Sequence, residues 1–249
     1  MNAISIFLTS LLAGGVSNGM GEIRLQSTAT ITPDSKKLAF AWAGDIWTSS
    51  LQGGEASRLT YHPAPDDTPK VSRDGKFVFF NSDRTGSKQV FRIPIQGGNA
   101  EQITFHSEGS SLQDLHPTKP VILVRGNRDH SGRRPYRLIE INLDPNRDEE
   151  IIFDGNARYG RYSPDGKKIL IVRDGAPTYR KGYEGAQASR IWLYDQTEET
   201  FTEPVKDKTG CRYPIWAPDG KSFYYVTSRS GAHNIWSVSY THLRAHETS

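Results

Sequence analysis

Ser163-Pro164-Asp165-Gly166-Lys167-Lys168-Ile169-Leu170-Ile171-Val172-Arg173 is the stretch that decides the fold. Proline presets φ for a turn, the aspartate side chain bonds nearby backbone, and glycine accepts positive φ, so the chain reverses here. The β-branched run that follows reads as a strand. The same order recurs at Thr32-Pro33-Asp34-Ser35-Lys36-Lys37 before LAFAW and at Ser72-Arg73-Asp74-Gly75-Lys76 before FVFFNS. It returns at His116-Pro117-Thr118-Lys119-Pro120 before VILVR and at Ala217-Pro218-Asp219-Gly220-Lys221 before SFYYVTS. Aligned on Asp34, Asp74, Thr118, Asp165 and Asp219, the units are 40, 44, 47 and 54 residues apart.

Each unit has further parts in a fixed order. A polar, glycine-bearing loop leads to a third strand, at Asp45-Ile46-Trp47, Gln89-Val90-Phe91, Arg190-Ile191-Trp192 and Asn234-Ile235-Trp236. Gly53-Gly54 and Gly97-Gly98 then precede a fourth strand, SRLTYH and EQITFH. Four short antiparallel strands at a period of about 40–50 residues specify an all-β fold, a β-propeller with about five blades. Trp47, Phe91, Trp192 and Trp236 hold the same place in their units, which inter-blade packing requires, since a blade buries its faces only against neighbours. Asp34, Asp74, Asp165 and Asp219, with Gly75, Gly166 and Gly220, read as turn residues rather than metal ligands.

Composition supports this and excludes other classes. Glycine (23) and proline (14) are abundant, and no long run shows a helical period, so an all-helical fold is ruled out. Five Trp, 11 Tyr and 10 Phe are enough to build a core, and a net charge of +3 does not favour disorder. The densest basic runs, Arg133-Arg134 and Arg180-Lys181, are isolated pairs, so nucleic acid is not an expected partner. A single cysteine, Cys211, excludes an intramolecular disulfide and a cysteine-only zinc site. Ile4–Ala13 is too short to span a bilayer and fits the apolar core of a signal peptide, although no basic residue precedes it. Residues 1–21 are therefore expected to be a signal peptide, giving a periplasmic or secreted protein; a cytoplasmic location is the alternative. No membrane span is expected.

Several passages carry a resemblance. Ser163-Pro164-Asp165-Gly166-Lys167 with Ile191-Trp192, and Gly97-Gly98 with Gln102-Ile103-Thr104, resemble the repeats of TolB-type and tricorn-type propellers. Tyr179-Arg180-Lys181-Gly182-Tyr183-Glu184-Gly185, the segment 189–195, and Arg212-Tyr213-Pro214-Ile215-Trp216-Ala217-Pro218-Asp219-Gly220 are similar to the first propeller of tricorn-like serine peptidases. In that family two propellers precede a PDZ-like module and a catalytic core. The resemblance thus implies a non-catalytic propeller whose longer parent is a serine peptidase, with the catalytic residues outside this chain. A TolB-type protein-binding scaffold and an oligopeptidase propeller are the alternatives.

Catalysis is not visible in the residues themselves. Gly15-Val16-Ser17-Asn18-Gly19 has the G-x-S-x-G spacing but lacks the strand-to-helix setting of a nucleophile elbow. The seven histidines show no metal spacing, and no phosphate or dinucleotide fingerprint appears, so no cofactor or metal is expected. Binding of peptides or protein partners is what the sequence leaves. The candidate contacts are Tyr179, Arg180, Lys181 and Tyr183 in one long loop, and Arg133 and Arg134 in another, since Arg and Tyr grip carboxylates and stack on side chains. The propeller is expected over residues 22–238. Residues 239–249 resemble translated adapter sequence and are expected to be a non-native tail. The fifth unit breaks off after Val238, so an open arc is expected, with Phe223, Tyr225, Ile235 and Trp236 facing water and with downstream blades and catalytic domains as its missing partners.

Overall fold

The computed structural model describes residues 28–128, 136–144, 148–173, 175 and 180–240. The segments 1–27 and 241–249 lie outside the described residues, and with them the signal-type stretch and nearly all of the tail.

Every described element is a strand, and the strands form five antiparallel sheets in chain order. Blade 1 is β1 (Ala29–Ile31), β2 (Lys37–Trp42), β3 (Asp45–Ser50) and β4 (Ser57–Arg58); blade 2 is β5 (Asp66–Val71), β6 (Phe77–Ser82), β7 (Gln89–Pro94) and β8 (Glu101–Gln102). Blade 3 is β9 (Ser111–Leu115), β10 (Val121–Gly126), β11 (Arg137–Asn142) and β12 (Glu149–Ile151). Blade 4 is β13 (Tyr159–Tyr162), β14 (Lys168–Arg173), β15 (Arg190–Asp195) and β16 (Thr200–Thr202). Blade 5 has three strands among the described residues: β17 (Cys211–Trp216), β18 (Ser222–Thr227) and β19 (Asn234–Ser239). This is a propeller of four-stranded blades, and no backbone hydrogen bond among the described residues joins blade 5 to blade 1.

Strand alternation explains the packing. In β14, Ile169 and Ile171 face back onto Leu123 and Leu138 of blade 3, while Leu170 and Val172 face forward onto Phe223 and Tyr225 of blade 5. Both faces are covered, so the strand reads as a continuous apolar run. The first strands of successive blades also touch, which makes them the inner wall.

Blade 5 departs from expectation in one respect. Phe223 (0% exposed) and Tyr225 (3%) are buried against blade 4, and Trp236 is half-buried beside them; only Ile235 of the expected set is open, at 74%. The reason is parity. Phe223 and Tyr225 pair across the sheet with Val238 and Trp236, whereas Ile215, Tyr224, Val226 and Ile235 share the other face. That forward face is the one left open.

The turns repeat one hydrogen-bond scheme. Ser163 Oγ–H donates to Asp165 Oδ1 (2.5 Å), Lys167 N–H donates to the same oxygen (3.1 Å), and Lys168 N–H donates to Ser163 Oγ (2.9 Å). Ser72 with Asp74, and Thr32 with Asp34, repeat it atom for atom. The hydroxyl bonds hold the Asp34 and Asp74 carboxyls below the usual carboxylate range. For Asp165, partial burial pushes upward, but the bonds from Ser163 and Lys167 outweigh it and the net shift is down. In blade 3 one side chain stands in for both partners: His116 Nδ1 accepts from Thr118 N–H (3.1 Å) and Lys119 N–H (3.0 Å). Burial pulls this imidazole below its usual value, in keeping with a neutral ring that accepts.

Gly75, Gly166 and Gly220 sit at φ +71°, +73° and +65°. At Gly166 space is short as well, since an added Cβ would lie 2.5 Å from His116 Cε1 and 3.1 Å from Pro117 Cγ of the preceding blade. Gly166→Val is therefore expected to destabilise the protein by about 1–3 kcal/mol, from left-handed backbone strain at a site with no room for a branched side chain. Chemical denaturation of both proteins checks this, and an unchanged midpoint would contradict the turn geometry.

Candidate functional site

The connections between second and third strands all leave the sheets at the end opposite the Pro-Asp-Gly turns, so they form one rim. In blade 2 that connection carries Arg84. Its Nη2 donates to both carboxylate oxygens of Asp66 (2.9 and 2.8 Å), its Nε donates to Ser82 Oγ (2.9 Å), and the guanidinium lies 4.7 Å from the centre of the Phe91 ring. The Asp66 side chain is wholly buried and Arg84 is 15% exposed. This arginine closes the blade.

Blade 5 repeats the pattern with one partner changed. Ser82-Asp83-Arg84-Thr85-Gly86 aligns with Thr227-Ser228-Arg229-Ser230-Gly231, with Gly86 and Gly231 both at positive φ. Asp66 pairs with Ser82 across the sheet, and the residue that pairs with Thr227 is Cys211. Cys211 thus holds the place of Asp66, and Thr227 Oγ1–H donates to the Asp207 carboxylate instead (2.9 Å). Arg229 stacks on Trp236 at 3.5 Å and makes no ion pair among the described residues. Burial pushes the Cys211 thiol up to about 12, so it stays protonated and supplies no counter-charge. Sequence reading missed this arginine. The shared spacing Ser/Thr-x-Arg-x-Gly was visible, but what stands across the sheet from each arginine's strand depends on register.

The intervening blades add to the same rim. Arg125, at the end of β10, stacks on Tyr136 (4.6 Å) and also lies 5.8 Å from the Tyr159 ring. In blade 4, Arg180 lies 4.1 Å from the centre of the Tyr183 ring, so the fold brings together two of the candidate residues. Lys181 is exposed beside them, and Gly182 N–H donates to Ser228 Oγ (3.1 Å), tying this loop to the blade 5 connection. Arg158 and Arg173 are exposed at the adjoining ends of blade 4, again without an ion pair among the described residues. Tyr179, Arg133 and Arg134 lie outside the described residues, although Gly126 and Arg137, which flank the second loop, are on this rim. Cations scattered along the sequence are gathered here. Arginine on an aromatic ring is worth about 0.5–1 kcal/mol when exposed and leaves its N–H edges free to donate.

The inner wall is charged at one level. Thr30, Lys70, Asp114, Arg161 and Ile215 each lie two residues before their turn. Lys70 Nζ donates to Asp114 Oδ1 (3.2 Å), Asp114 Oδ2 accepts from Tyr162 N–H (3.1 Å), and Arg161 donates to the Gln113 carbonyl. Burial pulls the Lys70 ammonium down, the Asp114 charge opposes this, and nearby Arg161 adds to it. The remaining repeat aromatics pack as the alternation requires: Phe91 with Phe80, Trp47 with Trp42, and Trp192 against the core shared by blades 3 and 4. No group of three metal-binding side chains occurs among the described residues, and no described helix is long and apolar enough to cross a membrane.

Comparison with known proteins agrees with this architecture. The pattern of the tricorn protease N-terminal beta propeller domain matches residues 25–248. The chain belongs to that family. The tricorn-type propeller is 25% identical over 80% of its length to tricorn protease homolog 1 of Streptomyces coelicolor, covering 19% of that protein, and 22% identical over 82% of its length to the Tol-Pal system protein TolB of Helicobacter hepaticus, covering 48%. It therefore spans about half or less of these curated relatives. Among solved structures it superposes on TolB from Acinetobacter baumannii with a TM-score of 0.67 (18% identity, 86% of this chain and 52% of that one) and on the tricorn protease with 0.65 (16% identity, 82% and 20%). These last two likenesses establish the fold alone.

The two matching arginines separate a structural role from a free one. Arg84→Ala leaves the buried Asp66 carboxylate unpaired and is expected to cost about 3–5 kcal/mol. Arg229→Ala removes the stacking on Trp236 but no ion pair among the described residues, and is expected to cost about 1 kcal/mol or less. Denaturant midpoints of the two variants test this, and equal losses would contradict the pairing.

Proposed function

We propose that this tricorn-type propeller is a non-catalytic recognition module of a longer protein, and that it takes carboxylate-bearing stretches of peptides or protein partners on the rim of blades 3 to 5. The observation that carries the reading is Arg229, which keeps the position and ring stacking of Arg84 but makes no ion pair among the described residues. Arg180 on Tyr183, with Arg158, Arg173 and Lys181 nearby, extends the same chemistry. Arginine presents a planar fork that matches a carboxylate, and a ring beneath it holds the fork in place.

In a tricorn-like peptidase this module would guide or gate peptides toward catalytic domains carried elsewhere in the parent, and the open forward face of blade 5 would receive the blades that follow. A TolB-type scaffold is the second reading, favoured by a TolB likeness that covers as much of the chain as the tricorn one. Export to the periplasm accords with the apolar stretch Ile4–Ala13.

Fluorescence anisotropy with a labelled acidic peptide and a neutral peptide of the same length tests the rim. Binding of the acidic peptide is expected to weaken about tenfold or more in R180A/R229A, equivalent to about 1.4 kcal/mol, and to fall with added salt. Equal binding of the two peptides, or an R180A/R229A protein that binds as before, would overturn the proposal.

A further inference from the structure

The turns of neighbouring blades touch by a rule that the repeat itself sets. The proline of one turn lies against the glycine of the next: Pro33 is 3.8 Å from where a Cβ on Gly75 would stand, Pro117 is 3.1 Å from that of Gly166, and Pro164 is 3.5 Å from that of Gly220. Three of the four junctions have this contact, although at the first of them a smaller cavity of about 230 Å³ still borders Pro33 and Gly75. At the junction of blades 2 and 3 the aligned residues are Arg73 in place of proline and Lys119 in place of glycine.

That junction is open. A cavity of about 440 Å³ lies there, with Arg73 and Lys119 both on its wall. Its apolar side is formed by Phe77, Phe79 and Leu115, and Arg92 also contributes to the lining, stacked on Phe77 at 4.8 Å and paired with Glu101 at 2.7 Å. Arg73 and Lys119 are exposed and have no ion pair among the described residues. The carboxylate of Asp74, which also borders the space, is spent within its own turn on Ser72 Oγ–H and Lys76 N–H. Two like charges set over an aromatic floor, where the repeat elsewhere places an uncharged contact, form an arrangement that an anion relieves. The volume falls within the range of small-ligand sites, and an apolar lining with a few convergent polar groups is their usual make-up.

We infer that this cleft binds the carboxyl terminus of a peptide that ends in an apolar or aromatic residue. The terminal carboxylate would lie between Arg73 and Lys119, and the last side chain on Phe77, Phe79 and Leu115. The site is on the turn end of the propeller, opposite the rim of Arg180 and Arg229, and does not depend on that rim.

Isothermal titration with N-acetyl-L-phenylalanine, and with N-acetyl-L-phenylalaninamide as its uncharged counterpart, tests the inference on the full chain. The carboxylate is expected to bind at least tenfold more tightly than the amide. R73A/K119A is expected to lose at least tenfold in affinity for the carboxylate, while R180A/R229A leaves it unchanged. Circular dichroism checks that the variants are folded; should the double variant fail that check, R73A alone is expected to weaken binding severalfold. No detectable binding of the carboxylate at millimolar concentration, equal affinity for the amide, or undiminished binding by the folded Arg73 variants would overturn it.

Discussion

The structure depends on the burial of each sheet's two apolar faces between neighbouring sheets. A four-stranded sheet on its own exposes one or both faces and is marginal in water. Stacking removes that cost for interior blades. Phe79, Val90 and Ile103 of blade 2 bury against Ile122, Val124 and Ile139 of blade 3, and Leu123 and Leu138 of blade 3 bury against Ile169 and Ile171 of blade 4. At about 25 cal/mol per Å² of apolar surface, such interfaces outweigh any hydrogen bond in the turns. The turns have a different role. They fix the register between first and second strands, and with it which residues meet the blade on either side.

Much of this was legible in the sequence. Proline, aspartate and glycine each obey a backbone rule that few residues share, so the turn at Ser163–Lys168 identified a hairpin, and its recurrence identified a blade. The face assignments in blade 5 were less accessible. Phe223 and Tyr225 alternate with Tyr224 and Val226, all four are apolar, and nothing in such a run marks which side looks back toward blade 4. The third strand resolved it, because Trp236 pairs with Tyr225 and Ile235 with Val226.

The candidate sites were harder to see, for a related physical reason. Arg84 and Arg229 carry the same local signature, and what separates them is whether Asp66 or Cys211 stands opposite, which only cross-strand register reveals. Arg180 and Tyr183 were visible as a loop with binding chemistry, and the fold adds their stacking and the neighbouring cations. Arg73 and Lys119 were visible as departures from the repeat. Their meaning appeared once proline of one turn was found to lie against glycine of the next. In each case the informative residue is one that breaks a pattern the rest of the chain keeps.

The most direct test of the stacking account compares two central strands with equal hydrogen bonding. β14 and β18 are each paired on both edges, but β14 is covered on both faces while the forward face of β18 is open, with Tyr224 at 44% exposure and Ile235 beside it at 74%. Amide hydrogen exchange, read strand by strand, reports the free energy of opening each one. The account predicts that β18 exchanges at least about tenfold faster than β14, with β6 and β10 as slow as β14, since one unburied face lowers the opening cost by more than about 1.4 kcal/mol. Protection of β18 equal to that of β14 would show that blade stability does not come from burial between neighbours.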